Sequence, residues 1–226
     1  MIRWDEPGYV VGFTTRVGGV SEGPWSSLNL GRRNGDDPAR VDENRRRALA
    51  VLGLDVPVLA QQRQCHSAVV RRARPGGPVE EGDGLWTDTP GEALLALAAD
   101  CVPIAIARRG AKRRLAVLHA GWRGLVAGIV EAGVAAVGGD TAAVIGPAIG
   151  PCCYEVGPEV SERFDADLTR NRILDLWTAA ERKLRAAGVG QVERVDLCTR
   201  CNPELFFSHR RDGKPRGTHG VIGALA

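Results

Sequence analysis

Residues 93–99, 103–107 and 115–118 are three short apolar runs of Ala, Leu, Ile and Val that show no polar face. Runs of this length that turn no side to water read as strands covered on both faces, with a buried helix as the alternative that periodicity alone leaves open. Such a chain has to enclose its strands between other layers. The third run, Leu115-Ala116-Val117-Leu118, breaks at His119-Ala120-Gly121-Trp122-Arg123-Gly124 and re-enters as a helical pattern over 123–137. The first ends at Asp100-Cys101-Val102-Pro103. Strand ends of this kind are where α/β proteins bind ligands. Both breaks carry a side chain, Cys101 or His119, able to hold a metal or take part in catalysis.

The remaining pattern alternates strands and helices. Residues 9–15 read as a strand, followed by a glycine turn at Arg16-Val17-Gly18-Gly19. Asp36-Asp37-Pro38 opens a helix that reaches Leu52, with Gly53 as its stop. Short strands are expected over 56–60 and 68–70, a buried strand over 142–145 and a late one over 192–197. The glycine- and proline-rich stretch 146–154 reads as a loop. Amphipathic helices are expected near 158–168 and 173–187, the second stopped by Gly188. With 226 residues and no repeat or linker, the chain reads as one compact α/β domain over 1–226.

A net charge of +3 without a dense basic block argues against a nucleic-acid partner. No stretch approaches the roughly 18 apolar residues of a membrane span, and the first residues lack the apolar core of an export signal. These features predict a cytoplasmic protein without a membrane partner. Six cysteines in such a chain read as thiols or ligands, not as a disulfide framework.

His66, Cys101 and His119 combine two imidazoles with a thiolate. That donor set suits a catalytic zinc ion with one coordination position left open, and predicts one zinc per chain. The alternative is a buried thiol with two histidines capping loops. Cys198-Thr199-Arg200-Cys201 is half of a structural zinc site with no second pair of fitting spacing, so it reads as two thiols near a turn. Adjacent Cys152 and Cys153 read as small apolar groups. Arg16, in its glycine turn at a strand end, is the best candidate to bind phosphate, and Arg123 is a second. Trp122 either stacks on a base or plugs the core.

Eight segments in order resemble one family. They are Thr15-Arg16-Val17-Gly18-Gly19-Val20-Ser21, Ser27-Leu28-Asn29-Leu30-Gly31, Gly35-Asp36-Asp37, Gln64-Cys65-His66, Ala99-Asp100-Cys101-Val102-Pro103, His119-Ala120-Gly121-Trp122-Arg123-Gly124, Ile145-Gly146-Pro147-Ala148-Ile149-Gly150 and Phe206-Phe207-Ser208-His209-Arg210-Arg211. Together they resemble the YfiH-like, or laccase-domain, family, once called multicopper polyphenol oxidases. The resemblance implies a layered α/β/β/α sandwich with mixed sheets and a zinc site at His66, Cys101 and His119. It implies phosphorolysis of adenosine, inosine, guanosine and methylthioadenosine, and deamination of adenosine. For that chemistry Arg16 is expected to clamp phosphate, Asn29 to orient a ribose hydroxyl or the anion, and Arg123 to assist or to brace the turn that aims His119. The chain departs from the family pattern at Cys65, at His209, where a tyrosine is common, and at Pro215-Arg216-Gly217. The last two leave substrate preference open. Alternatives are an editing hydrolase of cell-wall (peptidoglycan) precursors and a non-catalytic metal-binding protein. A copper-dependent polyphenol oxidase is disfavoured. Four histidines without an H-x-H pair, and Met1 as the one methionine, cannot build a blue-copper centre plus a trinuclear cluster, although a single copper could occupy the same three donors.

Overall fold

The computed structural model describes residues 1–56 and 59–226. Strands β1 (Ile2–Trp4) and β2 (Tyr9–Phe13) pair antiparallel. Helix α1 (Pro38–Leu52) starts and stops where its sequence signals lie: the Asp37 carboxylate accepts from Ala39 N at 2.8 Å, and Gly53 caps the end. Of the strand expected over 56–60, β3 covers Leu59–Ala60, while Pro57 and Val58 lie outside the described residues. Strands β4 (Val70–Arg72) and β5 (Gly84–Thr87) follow. The three apolar runs are strands β6 (Ala93–Ala98), β7 (Val102–Arg108) and β8 (Arg114–Ala120).

The helix expected over 123–137 is two helices, α2 (Trp122–Ala127) and α3 (Ile129–Val137). Gly128 separates them with φ of 98°, a backbone setting that other residues rarely adopt. Strand β9 (Thr141–Ile145) comes next. The helix expected over 158–168 is reduced to α4 (Pro158–Ser161) and a 3-10 turn at Ala166–Leu168. The stripe of Val160, Phe164 and Leu168 still meets the core. A periodic stripe asks only that those side chains face inward, and turns satisfy it as well as a helix. Strands β10 (Thr169–Arg170) and β11 (Ile173–Leu174) then form a small hairpin. Helix α5 (Leu176–Ala186) begins three residues later than expected, because Asp175 caps it by accepting from Thr178 N at 3.0 Å. Strand β12 (Gln191–Arg194), helix α6 (His209–Asp212) and strand β13 (His219–Leu225) complete the chain.

The strands build two mixed sheets, of order β1-β2-β13-β6-β3 and β12-β9-β7-β8-β5-β4. They stack face to face. Phe13, Leu94 and Val221 of the first meet Leu115, Val117 and Val144 of the second. Helix α1 covers the outer face of the first sheet, with Ala48, Leu49 and Leu52 against Leu95, Ile222 and Ala224. Helices α3 and α5 cover the outer face of the second, with Ile129, Val130 and Leu184 against Ile104, Ile106 and Leu118. The result is the α/β/β/α sandwich. It also explains why the three runs lack a polar face: Val117 points between the sheets and Leu118 under the helices, so both parities of the pleat are buried. Among the described residues no helix is long and apolar enough to cross a membrane.

Candidate active site

Strands β7 and β8 are antiparallel neighbours, with Val102 opposite Ala120 and Pro103 opposite His119. The start of one therefore lies beside the end of the other. This single pairing brings Cys101 and His119 to the same edge of the sheet. His66 arrives from the loop after β3, with its Nε2 3.8 Å from Cys101 Sγ and its ring centroid 4.9 Å from that of His119. The donor atoms of the three residues all lie within 4.8 Å of one another. A tetrahedral ion with ordinary zinc–ligand bond lengths sets a nitrogen and a sulfur ligand about 3.5 Å apart, so the donor set fits zinc in type and spacing. Gly121 keeps this space clear: a Cβ there would stand 2.9 Å from His66 Cδ2 and 3.0 Å from Cys101 Sγ.

The residue that organises the centre is Asp83, which the sequence pattern did not single out. It directly precedes β5, and its side chain is fully buried. Its carboxylate accepts from Cys65 N (3.2 Å), His66 N (3.0 Å), Ser67 N (2.6 Å), Ser67 Oγ (2.8 Å) and His119 Nδ1 (2.8 Å). Its own carbonyl accepts from His119 N at 2.7 Å. Asp83 thus pins the His66 loop to the end of β8. Because Nδ1 of His119 donates to a carboxylate, its Nε2 is the nitrogen left to act as a ligand.

Backbone strain gathers here. His66 has φ of 64° and Asp100 φ of 92°, settings that cost roughly 1–3 kcal/mol each for residues with a side chain. Asp83 holds the first. Asp100 is held by Thr199 Oγ1 (2.6 Å to Oδ1), Arg210 N (2.6 Å to Oδ2) and Ile149 N (2.9 Å to its carbonyl). Asp100 thereby anchors loops beside Cys101.

The charges support one another. Partial burial alone would push the Cys101 thiol up, but the charge and hydrogen bonding of His119, with a hydrogen bond from His66, outweigh it and bring the thiol down to about 6. Burial opposes a proton on His119, yet Cys101 and Asp83 together raise its pKa. In metal-stripped protein the thiolate is therefore the form present above about pH 6. Alkylation of Cys101, followed by peptide mass spectrometry across pH, is expected to rise with a midpoint near 6. A midpoint near the usual thiol value of about 8.5 would refute this charge pairing.

The three donors open into a cavity of about 620 Å³. Trp122 and Tyr154 line it, with Arg210 over the Tyr154 ring, and its wall is rich in cations: Arg33, Arg123, Arg210, Lys214 and Arg216, with Arg32 and Arg63 paired to Asp42 and Glu81 outside it and Asp100 the one acid among the described lining residues. Arg123 lies on the exposed side, its guanidinium 4.2 Å from the Trp122 ring centroid. Arg216 stands out. Its Nη1 donates to the Gly213 carbonyl at 3.1 Å, but its Nε is buried without a hydrogen-bond partner and it has no ion-pair partner among the described residues. His209 also lines the cavity, whereas His219 is buried against the rings of Phe206 and Phe207.

Arg16 and Asn29 do not line the cavity. The Arg16 guanidinium donates to the carbonyls of Ser26 (2.8 Å) and Pro203 (3.0 Å) and lies 4.6 Å from the Phe207 ring centroid. Asn29 is fully buried; it accepts from Gly31 N and Thr218 N and donates to Asp36. Both brace loops: Gly31 and Thr218, which Asn29 ties together, belong to the cavity wall.

A family model described as multi-copper polyphenol oxidoreductase laccase matches residues 10–225. The chain is 36% identical over 225 residues to the purine nucleoside phosphorylase YfiH of Escherichia coli, covering 93% of this chain and 92% of that protein. It is 39% identical over 216 residues to a purine nucleoside phosphorylase of Pseudomonas aeruginosa, covering 89% and 87%. The crystal structure of YlmD from Geobacillus stearothermophilus superposes with a TM-score of 0.88 at 35% identity, covering 97% of this chain and 93% of that one. The chain therefore belongs to the multi-copper polyphenol oxidoreductase laccase family and is a relative of the YfiH-like purine nucleoside phosphorylases.

Proposed function

We propose that the protein is a zinc-dependent purine nucleoside phosphorylase acting on adenosine, inosine, guanosine and methylthioadenosine, with adenosine deamination as a second activity of the same centre. The observation that carries this reading is a single cavity joining the His66–Cys101–His119 donor set to a cation-rich wall and two aromatic side chains. Copper-oxidase chemistry has weaker support, because only two of the four histidines belong to the donor set.

In phosphorolysis a phosphate oxygen bonds to C1′ of the ribose as the C1′–N9 bond breaks. The electron pair goes to the purine, which takes up a proton. His66, Cys101 and His119 would hold a zinc ion, which would supply Lewis-acid polarisation. Arg216, a cavity-lining guanidinium without an ion-pair partner among the described residues, holds the phosphate by charge-assisted hydrogen bonds. Arg123 adds a second positive charge from the rim; Arg16, the residue first expected to clamp the phosphate, donates to the Ser26 and Pro203 carbonyls. Trp122 and Tyr154 supply flat surface for the base. Asp100, already bonded through both carboxylate oxygens, positions Cys101 and the Arg210 segment.

Incubating the zinc-loaded protein with adenosine, with and without phosphate, tests the reading. Adenine plus ribose-1-phosphate is expected only when phosphate is present, and inosine marks the deaminase activity. Absence of all three products would refute the proposal. An Arg216→Gln chain is expected to raise the KM for phosphate roughly 10-fold or more, the effect of losing a charge-assisted hydrogen bond. An unchanged phosphate KM would remove Arg216 from that role.

A further inference from the structure

Cys152 and Cys153 lie at the end of the loop that follows β9, and Cys198 and Cys201 in the turn that follows β12. Folding converges them: the four sulfurs lie within 4.8 Å of one another. Cys201 Sγ is 3.5 Å from Cys152 Sγ and 3.3 Å from Cys153 Sγ. All four are free thiols, and these separations are far from the roughly 2.05 Å of a disulfide bond. They are close to the about 3.8 Å that separates sulfurs around a tetrahedral zinc with bonds of about 2.3 Å. Gly150 N donates to Cys198 Sγ at 3.2 Å, the kind of outer hydrogen bond that orients a thiolate ligand. None of the four cysteines lines the cavity described above.

We propose that Cys152, Cys153, Cys198 and Cys201 form a second metal site, a closed tetrathiolate that holds a structural zinc ion. Four soft ligands with no open position suit zinc in a structural role, not a catalytic one. The site's place in the fold gives it a task. The first loop carries Ile149, whose N–H bonds the Asp100 carbonyl, and Tyr154, which faces the cavity. The second carries Thr199, whose hydroxyl bonds the Asp100 carboxylate and whose N–H bonds the Ala148 carbonyl at 3.1 Å. An ion on the four sulfurs ties these loops together from outside and so fixes Asp100, the neighbour of Cys101, in its strained backbone setting.

The test is metal counting, which is independent of any turnover. Full-length protein loaded with Zn²⁺ and passed through a desalting column is expected to carry roughly two ions per chain by elemental analysis, one for each donor set. A Cys101→Ala chain and a Cys152→Ser/Cys201→Ser chain are each expected to retain about one. Cobalt-loaded Cys101→Ala protein should show the intense thiolate-to-metal charge-transfer bands of a four-sulfur site, and the double variant only the several-fold weaker band of the single Cys101 thiolate. Should the double variant fail to fold, the wild-type protein still decides. In the zinc-loaded form the four thiols are expected to resist alkylation until a strong chelator is added. A Cys101→Ala chain that retains no zinc, four thiols that alkylate freely in the zinc-loaded protein, or a Cys152–Cys201 disulfide in place of an ion would each overturn the proposal, whereas a single zinc that Cys101→Ala retains would overturn the zinc reading of the first centre instead.

Discussion

A Cys101→Ala chain is expected to lose the ion shared with His66 and His119, and to lose phosphate-dependent adenine release with it. Cys101 is the one anionic donor of the three, brought to the thiolate form near neutral pH by His119 and His66 despite its partial burial. Removing it leaves two imidazoles as donors, one of them on an exposed loop residue. Zinc sites with four protein ligands bind with about 10–16 kcal/mol, so one thiolate contributes about 3 kcal/mol or more, a factor of about 100 or more in affinity. The fold itself should survive. Cys101 lies just outside β7, and the apolar clusters on both sides of that strand do not include it. Chelator-competition titration gives the affinity, circular dichroism the fold, and product analysis the activity. Full phosphorolysis by a chain that has lost this ion would show that the zinc-centred mechanism is wrong.

Cys101 and His119 were legible in the sequence because both sit where strong local patterns break, whereas His66 was read from its donor type and from the family resemblance. The apolar runs ending at Cys101 and His119 are strands buried on both faces, and strand ends are recognisable without knowing which strands pair. Their antiparallel pairing, which makes the two ends adjacent, is a long-range fact that no local pattern encodes. Asp83 escaped for a related reason. In Glu80-Glu81-Gly82-Asp83-Gly84 it looks like one more acid in a polar loop, and only the fold places it under five donors. The cysteine pairs show the same limit. Cys198 and Cys201 have the spacing of half a zinc site, but the other half is the adjacent pair Cys152-Cys153, which spacing rules do not recognise. Strand β13, in the middle of the first sheet, was hidden by Gly220 and Gly223, which dilute its apolar run. Arg16 and Asn29 carry residue types suited to anions and sugars. Neither lines the cavity: Arg16 Nε and Nη1 and the Asn29 amide bond neighbouring loops, through contacts as distant as Arg16 to Pro203.

The largest effect on the folded protein is expected from Asp83→Asn. Burial would raise the Asp83 carboxyl, but hydrogen bonds from His119 and Ser67 and the charge of His119 hold it below the usual carboxylate range. A carboxyl whose pKa is depressed by folding adds stability that is complete above its unfolded value of about 3.9 and is lost as pH falls through the folded one. At neutral pH that contribution is fully present. An amide keeps one acceptor oxygen and turns an NH2 group toward backbone N–H donors that have no other partner. Stability is expected to fall by about 3 kcal/mol, as when one member of a buried charged pair is removed. The same substitution releases the Nδ1 proton of His119 from its carboxylate, so the imidazole no longer presents Nε2 in a fixed direction. Zinc affinity at the His66–Cys101–His119 centre should then drop by roughly 10- to 100-fold, as when a hydrogen-bond partner behind a metal ligand is lost. Denaturant melts of the metal-free protein measure the first effect, and chelator competition well below the melting temperature the second. The two separate cleanly: a chain that is destabilised yet binds zinc as tightly as wild type would show that Asp83 only holds the His66 loop to β8 and leaves the aim of His119 to other contacts.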